Sequence, residues 1–116
     1  MKRNPKVLKL YEKRIGEWIQ AFGLTDWAYR VQWAGKDVTN DGEVNYNTTS
    51  RFATFTIHPE TQRKDSRGVE KLALHEVLHL LLADYTGQAE QYFQVSYLVG
   101  MEHAIIQRII NAMGVK

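Results

Sequence analysis

Between Val69 and Ala83 the chain carries an apolar run, and inside it stand His75, Glu76 and His79. The run has helical character, and a helix fixes what these three side chains can do. At i and i+4 the two histidines lie one above the other on one face. Glu76 sits about 100° round the helix from His75, at the border of that face. Leu72, Leu78 and Leu82 surround the histidines, so the rings are expected to leave water. Buried imidazoles and a buried carboxylate need partners. A plain core helix with two histidines and a chance glutamate supplies none. A shared metal ion does. Two imidazole nitrogens at this spacing can hold one tetrahedral zinc ion, and Glu76 is placed beside it as a general base.

The rest of the composition narrows the setting. At 116 residues the chain is expected to form one domain with its own hydrophobic core, residues 1–116. It has no cysteine, which excludes disulfides and thiolate metal sites and fits a reducing, cytoplasmic compartment. Glu12, Lys13 and Arg14 interrupt any apolar core of a signal peptide, and no segment reaches membrane-spanning length. A net charge of +2 is too small to imply nucleic-acid binding. Lys2, Arg3, Lys6, Lys9, Lys13 and Arg14 cluster near the N-terminus, and the ordinary reading is the solvated face of a helix.

Periodicity predicts helix, strands, helix, helix. Leu8, Tyr11, Ile15, Trp18, Ile19 and Phe22 recur at helical spacing, with Gly23 as a stop. Trp27, Tyr29, Val31 and Trp33 alternate with more polar neighbours as a strand with one buried face. Gly35 to Gly42 reads as a polar loop, Glu43 to Asn47 as a weaker strand, and Thr48 to Ser50 as a turn. Arg51 to Ile57 is a β-branched and aromatic third strand, ended by His58-Pro59. Asp65 or Ser66 is the expected N-cap of the motif helix, and Gly87 should separate that helix from a last one over Gln88 to Met113. The predicted fold class is α+β, with a small antiparallel sheet and helices against it.

Two histidines need a third ligand. On the last helix Val95, Leu98, Ile105, Ile106, Ile109 and Met113 lie within about 60° of Glu102, which stands in the middle of this apolar face. A carboxylate there is expensive unless compensated, and a divalent cation compensates it. Gly100 would permit close approach of the two helices. The rivals for third ligand are His103, at the edge of the face, and Asp84, which also reads as a surface residue or as a partner of a ligand histidine. His58 reads as an ordinary turn histidine.

His75-Glu76-x-x-His79 with Glu102 on a following helix resembles the gluzincin branch of the zincin metallopeptidases. The small size and element order look like minimal zincins, including metallopeptidase-like proteins of phages and the SprT-like and ImmA-like proteins. The resemblance covers roughly Arg51 to Met113, and only the five-residue motif is specific. The metzincin pattern is absent, because Leu82 and Tyr85 stand where it wants Gly and a third His or Asp. Gluzincins often carry Asp four residues after the ligand Glu; here that position is Ile106. The resemblance implies a zinc site of His75, His79 and Glu102, with Glu76 as catalytic base for hydrolysis of a peptide or protein substrate. It also implies a substrate strand paired along Arg51 to Ile57. Tyr85, Tyr92, Tyr97 and His103 are the candidates to stabilise the oxyanion. Two other classes stay open: a zinc-binding regulator without turnover, and an interaction domain that uses the basic N-terminus.

Overall fold

The computed structural model describes residues 3–35, 40–59 and 66–114. Helix α1 (Pro5–Ala21) starts where Asn4 Oδ1 accepts the backbone N–H of Lys6 at 3.0 Å and Pro5 presets the first turn. Its buried stripe is Tyr11, Ile15 and Ile19. It ends before Gly23, whose φ of +71° is one that glycine adopts without strain. The basic residues Lys6, Lys9 and Lys13 are exposed, as a solvated helix face should be.

Three strands follow, β1 (Ala28–Trp33), β2 (Gly42–Asn47) and β3 (Phe52–Ile57), in the spatial order β1-β3-β2. β3 takes the centre because it is the most apolar strand: Ala53, Phe55 and Ile57 are fully buried, and Phe55 lies between Val31 and Val44 in register. The turn through Thr48–Ser50 makes β2 antiparallel to β3, whereas β1 pairs with β3 in parallel. The sheet is therefore mixed, not antiparallel as expected. A second expectation falls with it. β3 has a strand on both sides, so it has no free edge for an extended substrate.

Helix α2 (Ser66–Leu81) carries the motif, followed by α3 (Ala83–Ala89) and α4 (Val95–Met113). Of the two expected N-caps, Asp65 lies outside the described residues and Ser66 is already helical. The helix boundary after the motif also differs from the reading of Gly87. The chain turns at Leu82, with no Gly or Pro, and Gly87 lies inside α3. Helical hydrogen bonds, Leu82 N–H to Leu78 and Thr86 N–H to Leu82, run through this turn. The real break is residues 90–94. Gly114, at φ +70°, closes α4.

Helix α2 serves two cores at once. Val69, Ala73, Val77 and Leu80 pack with α1 and the sheet, while Leu74 and Leu78 pack with Ile106 and Ile110 of α4. What is left of its surface, around Leu72, His75 and His79, faces a cleft. No described helix is long and apolar enough to cross a membrane.

Candidate metal centre

The cleft has a volume of about 690 Å³ and lies between β2, α2 and α4. Its strand wall is close because Gly42 has no side chain. A Cβ there would stand 2.8 Å from the Thr56 carbonyl oxygen and 3.1 Å from Leu72. β2 pairs only with β3 among the described residues, so its second edge lies open on the cleft side.

On the floor the His75 and His79 Nε2 atoms are 3.2 Å apart. Two imidazoles on one tetrahedral zinc ion, at about 2.0–2.1 Å each, would be about 3.3–3.4 Å apart. The pair therefore has the spacing of shared ligands. His103 joins them, its ring stacked on His75 at 5.6 Å and edge-on to His79 at 4.8 Å between centroids. The ligand nitrogens of His75, His79 and His103 lie within 4.8 Å of one another, so the three could hold a metal ion.

Glu102 is buried, and its two oxygens have separate partners. One accepts from His79 Nδ1 at 2.6 Å, and the other accepts from the Thr86 hydroxyl at 2.9 Å. Burial opposes the charge on this carboxyl, but the bonds from His79 and Thr86 outweigh it and hold its pKa below the usual range. An ionised carboxylate only accepts, so His79 donates from Nδ1, and in the neutral ring this leaves the lone pair on Nε2, the nitrogen nearest His75. Such a carboxylate–histidine pair is the arrangement that orients metal ligands. Burial, reinforced by the two neighbouring imidazoles, lowers the His75 pKa to about 4. Its ring is neutral near pH 7 and available as a donor.

Glu76 is only 4% exposed. Burial and the nearby Glu43 raise its pKa to about 7, against the opposing pull of His79. A carboxyl at that value can both accept and return a proton near neutrality. Beneath it Tyr11 is fully buried, and its hydroxyl donates to the Thr56 carbonyl at 3.1 Å.

The other candidates sort clearly. Asp84 pairs with Arg51 at 2.6 Å, and Arg51 also binds Asp26 and lies over the Trp27 ring, so Asp84 belongs to a surface clasp. Tyr85 and Tyr97 border a different cavity, and Tyr92 is 80% exposed. Tyr46 of β2 lines the cleft instead, a residue that no sequence signal separates from an ordinary strand tyrosine. Thr86 was hidden for a plainer reason: its approach to Glu102 depends on the turn at Leu82. A Cβ at Gly100 would meet nothing, so this glycine does not serve helix approach. His58 stays in its turn, its N–H bonded to Asp41.

No protein-family model matches the chain, and no curated protein or solved structure matches it at a significant level.

Proposed function

We propose that the protein is a zinc-dependent peptidase, with Glu76 as the group that moves the proton. The observation that carries this reading is the pairing of two imidazole nitrogens at 3.2 Å with the buried Glu76 carboxyl in the same cleft. The all-nitrogen and oxygen donor set suits zinc. When bound, such an ion lowers the pKa of water and polarises a carbonyl. Glu76 takes the proton of the attacking water and returns it to the leaving amine. Tyr46 lines the cleft and would donate to the developing oxyanion, a role open to His103 only where Glu102 is the third ligand. An extended peptide chain would add along the open edge of β2, as a further strand.

The third ligand comes from α4. With the rings as they stand, His103 completes a three-histidine set and Glu102 orients His79. A second reading, with Glu102 itself as ligand, is favoured by its burial and charge, since His103 is exposed. The two are separable by zinc titration. Glu102→Gln should weaken zinc about 10–100-fold if Glu102 only orients. His103→Ala should then weaken it more. The reverse order would make Glu102 the ligand.

The test of turnover is cleavage of an unfolded protein substrate in the presence of zinc. Wild type should cleave it. Glu76→Gln should bind zinc equally and lose cleavage by at least about a hundredfold. A zinc-loaded wild type with no cleavage of any tested substrate would favour a regulator without turnover.

A further inference from the structure

Among the described residues, ten of the twelve exposed large apolar side chains fall between Leu81 and Met113. Several converge on one feature. Leu82, Tyr85, Phe93, Tyr97, Met101 and Ile105 line a cavity of about 200 Å³ between α3 and α4. It lies on the far side of the Thr86–Glu102 bond from the metal cleft, since these two residues border both. We infer that this α3–α4 face is a docking surface for a second copy of the chain.

The extent of the face is the first reason. Tyr85, Tyr92, Phe93 and Tyr97 are 75%, 80%, 57% and 60% exposed. At roughly 200 Å² per aromatic residue, these four leave roughly 500 Å² in water, most of it ring and part of it tyrosine hydroxyl. Met101 and Ile105 extend it beyond the largest apolar patch that monomers usually show, roughly 300–600 Å². It approaches the roughly 800 Å² that each partner contributes to a stable interface.

The second reason is what the face carries. Of the ten residues that line the cavity only Glu102 is charged, and His79 and Thr86 engage its two oxygens, so a partner selected by charge finds little to read there. The same face holds both a socket and projecting rings. Tyr92, next in sequence to Phe93 of the cavity wall, stands almost wholly in solvent. A surface with knob and socket side by side can pair with its own copy about a two-fold axis. Each copy then fills the socket of the other, and the contact closes at two copies. The metal cleft lies on the opposite side of Glu102 and stays open.

Sedimentation velocity of the full chain over a hundredfold concentration range tests this. The expected result is a monomer–dimer equilibrium that shifts with concentration. Met101→Lys, which places a charge in the socket, should give monomer throughout. Tyr92→Ser should weaken association at least about tenfold. Both variants should keep wild-type far-ultraviolet circular dichroism and zinc affinity, which separates lost docking from lost fold. A monomer at every concentration would overturn the inference. So would a dimer that Met101→Lys leaves intact, or species that grow beyond two copies.

Discussion

The two sides of α2 are supported very differently. On one side α1 and the sheet enclose Tyr11, Ile15, Phe55 and Ile57 completely. On the other, α4 packs through Ile106 and Ile110 onto Leu74 and Leu78, while its neighbours stay in water. Polar ties supplement this apolar contact. Glu102 links it to His79 of α2 and Thr86 of α3, and Arg51 clasps α3 to the loop before β1. The comparison teaches where a metal ion would matter. It would join the well-packed half to the poorly packed one, at the seam between α2 and α4.

The largest expected effect lies in the first core. Phe55→Ala should cost about 3–5 kcal/mol in urea unfolding with chelator present, and Ile110→Ala nearer 2 kcal/mol. Equal losses would mean that the two halves are equally cohesive. Zinc should act chiefly on the weaker half. At about a hundredfold excess over its dissociation constant it should add about 2.7 kcal/mol, and hydrogen exchange should slow in α4 more than in β3. Uniform protection would break the comparison.

The pH response of the metal-free protein sharpens it further. As pH falls, the unfolded chain protonates its histidine first, so His75 withdraws stability between about 6.5 and about 4. Glu76 acts in the opposite sense. Its folded form keeps the proton longer, so stability is withdrawn as pH rises from about 4.5 to about 7. These slopes oppose each other over the shared window. Glu76→Gln removes one of them, and the variant should gain stability from pH about 4.5 to about 6.5, by about 1–2 kcal/mol because solvent screens the partly exposed His75 ring, while wild type stays flatter. Chemical unfolding at closely spaced pH values reads this directly; a flat variant would contradict the burial of His75. The smallest effect belongs to the clasp. Arg51→Ala removes two solvent-exposed ion pairs and should cost no more than about 1 kcal/mol, with faster exchange confined to α3.

Much of this arrangement was legible from local pattern. The α1 stripe, the alternation of β1, the motif spacing and the burial of Glu102 each follow from side-chain periodicity within one element. The parts that were not legible depend on how elements meet. Nothing in Arg51–Ile57 says that β1 will pair with it in parallel, because pairing direction belongs to the partner strand. Leu82 turns the chain without a Gly or Pro to mark it, so Thr86 could not be placed beside Glu102. The buried stripe of α4 proved narrower than the apolar one. Leu98, Glu102, Ile106 and Ile110 are buried, while Ile105 falls outside the flank that α2 covers and Val95 and Met113 are exposed as the first and last residues of α4. His103 stands at that flank, which is why an angular estimate put it at the edge and the fold brings it to His75.

The central claim is that a metal ion binds at the seam of α2 and α4, held by His75 and His79 of α2 together with a ligand from α4. Calorimetric titration of chelator-treated protein with zinc tests it most directly. One ion should bind per chain, and His75→Ala should weaken that binding at least about a hundredfold while the fold persists. The absence of saturable zinc binding in wild type, or binding that His75→Ala leaves unchanged, would contradict the account.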